Sequence, residues 1–447
     1  MGKRLILVLA LALLVGLTFS AAYAEVQNVK VSGDITMSGI ARNHFGLNAP
    51  IPGDNSVLKE SFLMSQIRVR IDADLTDNVQ ATVRLINERI WNGQNDSNAG
   101  NSSNSTAIDL DLAYVTLKEF LYSPLTLTVG RQEIKFGNGL IIGKSGAALG
   151  TTNIPTDLSE RSAFDAIRAT LDYDPLVVDL VFAKVRQTMA DDKNDITLAG
   201  INATYALSKK INVSGYYFIK KDDYKANNTP TSRNGTDKVN TIGGLISSTP
   251  IENLAASLEA AYQFGRAANS NTTQKKHDAW SLQAMADYTF AKVKTTPKIG
   301  ASYTYLSGQS DGDTRDGGWD PMFYDQKLNN ITYALLPMTN MSVFNLKASC
   351  KPVEDVTLAA VYGWYDVAQK SEGTLTSPSS RNGSTAYLST SYTGKTHLGD
   401  AIDATVTYDY TEDVQFALTG GLFRAGNALA TNEKAAQQLI GSMKVVF

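Results

Sequence analysis

Ile402-Asp-Ala-Thr-Val-Thr-Tyr-Asp-Tyr410 alternates apolar and polar residues one by one. Because successive side chains of a β-strand point to opposite faces, this segment predicts a strand with one apolar and one polar face. The same period of two recurs along the chain, for example from Ile67 to Asp72 and from Ile167 to Asp172. Helical periodicity is nearly absent beyond the N-terminal region, so the sequence predicts an all-β fold.

Marking every segment of this kind predicts about eighteen strands. Several span about 10 to 14 residues, which exceeds the usual strand of a soluble sheet and suits a tilted strand that crosses a bilayer. The predicted strands are 29–42, 61–75, 78–91, 107–118, 124–136, 163–173, 176–188, 194–207, 211–223, 238–248, 253–265, 277–291, 297–309, 341–351, 354–366, 396–410, 413–425 and 436–447.

The connections between these strands differ in length on the two sides. After even-numbered strands they are short, as at Thr76-Asp77 and Pro352-Val353, whereas most odd-numbered strands precede long polar connections such as 310–340 and 367–395. One brief link near Asp191 is the exception. Short periplasmic turns and long extracellular loops are typical of outer-membrane barrels, and an even strand count places both chain ends on the periplasmic side.

The N-terminal residues predict export. Residues 1–24 have a positive start, an apolar stretch and an Ala22-Tyr23-Ala24 cleavage pattern, which together indicate a signal peptide. Residues 25–447 would then form a single transmembrane β-barrel domain. No later run approaches the about 20 apolar residues of a membrane-spanning helix, so a membrane protein of this sequence must be a barrel.

Composition excludes several classes of protein. With 41 basic and 44 acidic residues the chain has no basic footprint, so we expect no nucleic-acid partner. One cysteine, Cys350, excludes a disulfide framework and a cysteine-based metal cluster. The three histidines, His44, His277 and His397, stand in no recognisable nucleophile motif, so we expect neither an enzyme nor a cofactor.

A soluble β-sandwich or β-helix is the alternative to a membrane barrel, and two features argue against it. The 20 tyrosines and four tryptophans include many near predicted strand ends, as in an interfacial girdle; Trp91, Tyr216, Tyr217, Trp280, Tyr303, Tyr305 and Trp364 are examples. The last strand carries Leu439, Gly441, Met443, Val445 and the terminal Phe447 on alternate positions. It resembles the closing strand of bacterial outer-membrane barrels, which would engage the barrel-assembly machinery.

Several motifs go beyond pattern. Asp111-Leu-Ala-Tyr-Val-Thr-Leu-Lys118, Leu127-Thr-Val-Gly-Arg-Gln-Glu-Ile134, Phe164-Asp-Ala-Ile-Arg168 and Trp319-Asp-Pro-Met-Phe323 resemble the core of the alginate-export porin family. Ala166 stands where the family pattern has glycine. The resemblance implies an eighteen-stranded diffusion channel in the outer membrane of a Gram-negative bacterium. It does not establish alginate as the substrate, because the family's exporter has a strongly basic lumen and this lumen looks mixed.

In such a channel, the charges on the polar face of each strand control passage. Five arginines on neighbouring strands could make one wall basic and favour anionic solutes. The alternative is that these charges only solvate the interior and pair across strands. The pore-lining candidates are Arg68, Arg70, Asp72, Arg84, Glu88, Arg131, Glu133, Lys135, Arg168, Asp172, Lys347 and Lys444.

Arg131 presents an ambiguity of register. The alternation of Leu127 and Val129 would carry Arg131 to the outer face, where lipid penalises a charge. Either a bulge at Gly130 reverses the register, or Arg131 already lies beyond the hydrocarbon band. With the family resemblance, we expect a lumen or constriction role for Arg131, Glu133 and Lys135.

Two loops carry further hypotheses. Residues 137–162 are rich in small residues and poor in charge, so they are the best candidate for a loop that folds into the barrel; an ordinary surface loop is the alternative. The acidic loop 310–325 offers Asp311, Asp313 and Asp316 as weak candidates for cation ligands. The EF-hand pattern fails there, and solvated acids are the default interpretation.

The sequence therefore predicts a passive porin that passes hydrophilic solutes, including anions and oligosaccharides. The alternative is a structural or adhesive outer-membrane barrel whose long loops bind a surface ligand.

Overall fold

A computed structural model describes residues 27–47, 59–91, 107–145, 154–187, 195–224, 235–268, 274–310, 312–371, 373–376, 378, 380–381, 385–431 and 435–447. The predicted signal peptide, Asp311 and the link near Asp191 lie outside these residues. No described helix is both long and apolar enough to cross a membrane.

Eighteen long antiparallel strands form the wall of one sheet. They are β1 Asn28–Asn43, β2 Lys59–Thr76, β3 Val79–Ile90, β4 Asp109–Leu117, β5 Leu125–Gln132, β6 Phe164–Asp172, β7 Leu176–Arg186, β8 Ile196–Ser208, β9 Ile211–Tyr224, β10 Gly235–Ser248, β11 Leu254–Ala268, β12 Gln274–Thr289, β13 Lys298–Leu306, β15 Met341–Val353, β16 Val356–Asp366, β21 His397–Asp409, β22 Val414–Ala425 and β23 Ala436–Val446.

Short elements occupy the long connections. β14 Arg315–Asp316 pairs in parallel with β12, and α1 Asn330–Leu335 is a six-residue helix. The other short strands are β17 Thr374–Thr376, β18 Ser380–Arg381, β19 Thr385–Ala386 and β20 Ser389–Ser391.

The sheet closes on itself because β1 pairs with both β2 and β23, from Asp34 opposite Val446 to Asn43 opposite Gln437. Closure confirms the predicted eighteen-stranded barrel. The predicted strand ends differ from the observed ones by at most four residues. The largest difference is at β5, which ends at Gln132 rather than at residue 136, because the chain there leaves the wall and turns inward.

The outer face is the apolar one. Ile402, Val406 and Tyr408 of β21 are each more than 40% exposed, whereas Asp403 between them is 4% exposed. In a barrel closed by backbone hydrogen bonds, such an exposed apolar surface is the one that faces lipid.

The inner face departs from simple alternation in its extracellular half. Val181 of β7 points inward and is buried, although its outward neighbours Leu180 and Phe182 are apolar as well. Ala183 and Leu198 also point inward and are buried. Tyr216, predicted for the interfacial girdle, also faces inward, where it stacks on Phe218 and is 7% exposed. These residues are buried because long loops fold into the barrel and cover them.

Candidate functional site in the barrel lumen

Two long connections enter the barrel and contact each other. The backbone N–H groups of Gly143 and Lys144 donate to the carbonyl oxygen of Phe323 at 2.7 and 2.9 Å. Leu140 and Ile142 are at most 1% exposed. The described parts of residues 137–162, predicted as the inward-folding loop, therefore lie inside, joined to the connection between β13 and β15.

Helix α1 lies in the same connection, against the inner wall. A carboxyl oxygen of Asp403 on β21 accepts hydrogen bonds from the backbone N–H groups of Asn330 (2.5 Å) and Ile331 (3.4 Å). Gly421 on β22 leaves the room for this contact, since a Cβ there would lie 2.4 Å from the other Asp403 oxygen. A wall carboxylate thus satisfies helix N–H groups that otherwise lack an intrahelical partner.

Three predicted arginines line the inner face of β2 and β3 next to one another. Arg68 donates to Asp34 at 2.9 Å, and Arg70 donates to Asp72 at 2.7 Å. Asp72 also accepts from Thr82 at 2.7 Å. The wall is therefore a series of ion pairs rather than a row of isolated cations.

Arg84 connects the wall with the entry to the inward loop. It donates to Asp111 at 2.6 Å and to Glu133 at 2.5 Å, and the Glu133 side chain is 44% exposed. Lys135 donates to the carboxylate of Asp325 at 3.0 Å. Glu133 and Lys135 thus lie inside the barrel, each against an opposite charge.

The structure corrects the position expected for Arg131. The pairing of β5 with β4 and β6 runs without a register shift through Gly130, although Gly130 has φ +125°. Arg131 therefore keeps the outward parity of Val129 and lies 3.3 Å from Asp165, whose side chain is 62% exposed. Arg131 therefore lies on the outer face, near the extracellular end of its strand.

The remaining predicted residues are spread around the barrel. Arg168 on β6 faces inward and pairs with Asp179 at 2.8 Å. Asp172 accepts from the backbone N–H of Asp174 at 3.2 Å and so stabilises a short turn. Lys347 and Lys444 take inward positions on β15 and β23.

Glu88 binds the inward loop, a contact that its sequence context does not indicate. It is 4% exposed, and its two carboxyl oxygens accept from Gln66, Ser159 and the Glu160 backbone N–H, each at 2.8 Å, and from Arg161 at 3.1 Å. Glu88 therefore holds the returning half of the inward loop against β3.

A second buried contact holds the same segment. The Arg42 side chain of β1 is fully buried and forms a short ion pair with Asp157. It also donates to Tyr387 at 2.7 Å and to Gln438 at 2.8 Å. We call Glu88–Arg161 and Arg42–Asp157 the clamp, and the residues it holds, 154–162, the clamped segment.

The acidic connection contacts basic side chains of the protein itself. Asp316 lies 2.9 Å from Nδ1 of His277, and Asp320 accepts from Lys220 at 2.9 Å. Burial acts to raise the pKa of Asp320, but Lys220 outweighs it and the pKa is lowered. Among the described residues, no three His, Cys, Asp or Glu side chains form a group suited to a metal ion.

Sequence reasoning missed Arg42, Arg161 and Lys327. Arg42 is the last inward position of β1, so strand parity could have identified it. Arg161 and Lys327 lie on loops, where period-two reasoning has no application. The sequence feature that could have indicated these loop residues is the run of inward apolar residues on β7 and β8, because such a run requires a loop to cover it.

Comparison with known proteins places this barrel in context. The family model described as alginate export matches residues 43–442. The barrel is similar to OccK8 (OprE) of Pseudomonas aeruginosa, with 12% identity, TM-score 0.56, and 94% and 99% of the two chains covered. It is also similar to OccAB2 of Acinetobacter baumannii (10%, 0.56, 95% and 99%) and to a BenF-like porin from Pseudomonas fluorescens Pf-5 (10%, 0.54, 94% and 100%). At these identities the structural likeness shows the fold alone, and no curated protein matches the sequence.

Proposed function

The chain belongs to the alginate-export family and is an outer-membrane porin, and from this premise we propose that it passes small hydrophilic solutes passively, with a preference for anions. The observation that carries the proposal is the set of charged groups that remain accessible inside the barrel. Side-chain exposure is 35% for Arg70, 50% for Lys135 and 51% for Glu160. Buried ion pairs alone would not offer a solute such contacts.

The arginines retain donors for a solute although each is paired. A guanidinium carries five N–H groups. The bonds from Arg70 to Asp72 use Nε and Nη2. Arg168 uses the same two nitrogens toward Asp179. The donors on Nη1 of both residues supply hydrogen bonds of the kind that favours carboxylates and phosphates.

Planar-bilayer recording tests this function. A stable current with an anion-selective reversal potential is expected, and Arg68→Ala is expected to lower the anion preference because it leaves Asp34 uncompensated. Arg131→Ala is the matched control: it also removes an arginine paired with an acid, but from the outer face. A silent, correctly folded barrel, or equal selectivity in all three proteins, contradicts the proposal.

A second function is favoured by one observation. Apolar residues of the inward loops, among them Trp319, Phe323 and Leu335, fill part of the extracellular half of the lumen. A barrel closed in this way would act through its extracellular loops as a structural or adhesive surface protein. The same recording separates the two, since this function predicts no current.

Two further expectations join this proposal. We propose that residues 1–24 are removed as a signal peptide, and that oligosaccharides are among the solutes. We also propose that the last strand is engaged by the barrel-assembly machinery through Phe447, which is 56% exposed and bonded to Gly33 by its backbone. Phe447→Ser should then lower the yield of assembled barrel in cells while refolding in detergent is unchanged; an unchanged cellular yield contradicts it.

A further inference from the structure

Five basic residues occupy directly paired positions on neighbouring strands. Lys238 of β10 pairs with Lys221 of β9 on one side and with Arg266 of β11 on the other. Lys276 of β12 pairs with the same Arg266 and, across its other edge, with Arg315 of β14. Directly opposite residues of neighbouring strands have Cα atoms about 4.5–5.5 Å apart. We call these five residues the basic row.

The basic row points away from the lumen. Lys238 shares the strand parity of Ile242, which is 51% exposed, and Lys276 shares that of Trp280, which is 47% exposed. The inward neighbour of Lys276 is His277, which is 1% exposed. All five side chains of the row are exposed. The row therefore lies on the outer face of the barrel, where a solute inside the pore does not meet it.

An aromatic belt lies on the same face, closer to the membrane centre. Tyr217, Tyr262 and Trp280 stand in one register with Ile242 between them, and each is four residues from the member of the basic row on its own strand. At about 3.3 Å per residue, four residues span about 13 Å along a strand, and less along the membrane normal because the strands are tilted. Tyrosine and tryptophan are enriched where the bilayer meets water. The basic row, on the side of the long connections, is thus within reach of the outer-leaflet headgroups.

Two acids accompany the row, one at each end. Lys221 bonds Asp223 at 2.7 Å, and Arg315 bonds Asp278 at 2.6 Å. The three members between them form no ion pair with another described residue. The connections at this end contain no acid in residues 225–234 and 269–273. Like charges directly opposite each other destabilise a sheet, so an external anion would stabilise this end of the barrel.

We propose that the basic row binds the phosphate groups of an outer-leaflet lipid, a phosphorylated glycolipid whose acyl chains contact the apolar belt below. Ammonium and guanidinium groups form charge-assisted hydrogen bonds with phosphate oxygens. The exposed faces of Tyr262 and Trp280 supply the apolar surface that a lipid needs and that a free phosphate ion does not use. The partner is therefore an amphiphile that carries its phosphates at the membrane surface. The inference is independent of the solute that the pore passes.

Three other outward basic residues provide a matched control. Lys59, Arg89 and Arg424 are exposed and stand at the extracellular ends of β2, β3 and β22. Their pairing partners are two uncharged residues and an acid, so none of the three lies opposite another basic residue. Replacing all three by glutamine removes the same charge from the same face without changing the basic row.

Native mass spectrometry of the full-length barrel in a non-ionic detergent measures lipid binding whether or not the channel conducts. The probes are bisphosphorylated lipid A and the same lipid A without its phosphates, with inorganic phosphate as competitor. EDTA is present, so that no divalent cation bridges a phosphate to Asp223 or Asp278. The test variant combines Lys238→Gln, Arg266→Gln and Lys276→Gln. Heat-modifiable migration in gels shows that each protein is folded.

We expect the wild type to bind bisphosphorylated lipid A at least about tenfold more tightly than the dephosphorylated form, the effect of at least one charge-assisted hydrogen bond. The test variant should lose this preference, and the control variant should keep it. Inorganic phosphate should displace the lipid no more than chloride does at equal ionic strength.

An equal preference in the wild type and the test variant overturns the proposal. A loss of the same size in the control variant also overturns it, because the binding would then follow net charge rather than the basic row. Displacement by inorganic phosphate beyond that by chloride overturns the assignment to a lipid and indicates a site for free phosphate.

Discussion

Glu88→Gln tests whether the clamp sets the width of the pore. The substitution preserves shape but converts one carboxyl oxygen into an amide nitrogen, which cannot accept hydrogen bonds. Whichever oxygen is replaced, two of the four contacts to Gln66, Ser159, Glu160 and Arg161 are lost. Replacing the oxygen that accepts from Ser159 and Arg161 removes two contacts to the clamped segment. Replacing the other oxygen removes one, the contact to the Glu160 backbone N–H.

The magnitude follows from the kind of contact that is lost. A hydrogen bond to a charged group contributes about 1.5–3 kcal/mol, so the loss of one or two such bonds disfavours docking of the clamped segment by about 1.5–6 kcal/mol. Since 1.4 kcal/mol changes an equilibrium tenfold, a segment docked nearly all the time becomes undocked for a measurable fraction of it. Arg161 retains Asp109 at 2.6 Å, so its charge is not left alone.

Single-channel recording and exclusion of polyethylene glycols of graded size measure the result. We expect larger and noisier open-channel current in Glu88→Gln, and entry of larger polymers. Glu259→Gln is the matched control, because Glu259 is equally buried in the inner wall but bonds Tyr216 and does not touch the clamped segment. Unchanged conductance and polymer cutoff in a folded Glu88→Gln barrel would falsify the hypothesis that the clamp sets the width of the pore.

Two further predictions concern pH and backbone strain. The lowered pKa of Lys144 places its loss of charge below the about 10.4 of an ordinary lysine. The anion preference of the current should therefore be full below the lowered pKa and decline as pH rises through it, with Lys327, Asp325, Glu160 and Glu88 as the other charges acting there. A midpoint at the ordinary lysine pKa contradicts this. At Gly130, φ is +125° and a Cβ would lie 2.2 Å from the carbonyl oxygen of Ala113. Gly130→Ala should lower the free energy of unfolding by about 1–3 kcal/mol or more, in urea titrations, whereas Gly39→Ala, whose Cβ would meet only the flexible end of Leu63 at 3.3 Å, should cost little. Equal midpoints for the two variants count against the strain argument.

The barrel could be predicted from the sequence because its decisive information is local. Strand parity depends on neighbours two residues apart, so the inward positions of Arg68, Arg84 and Arg168 follow from the alternation around them. The same alternation correctly predicts that the side chain of Arg131 points outward. The lumen position expected for Arg131 from the family motif was wrong, because the alternation of β5 runs unbroken through Gly130.

The contacts of the clamp, which hold the inward loop in the lumen, could not be predicted in the same way. The clamp joins Arg42 to Asp157 and Glu88 to Arg161, residues 115 and 73 positions apart in the chain. Composition alone suggested that residues 137–162 fold inward, but a loop has no periodicity from which its partners can be read. The buried apolar positions Ala183 and Leu198 on the inner wall were the available sign that something covers them.

The pairing of the wall arginines changes which part of the barrel can discriminate between solutes. Arg68, Arg70 and Arg168 each lie within about 3 Å of a carboxylate, and opposite charges this close largely cancel at the Debye length of about 8 Å. A solute near the centre of a wide lumen therefore senses little field from the wall. Lys327 is exposed on a loop that reaches into the lumen, so a solute can approach it directly. Selectivity that arises at the loops should persist in salt concentrations that remove the wall's long-range field, because direct contacts are screened much less.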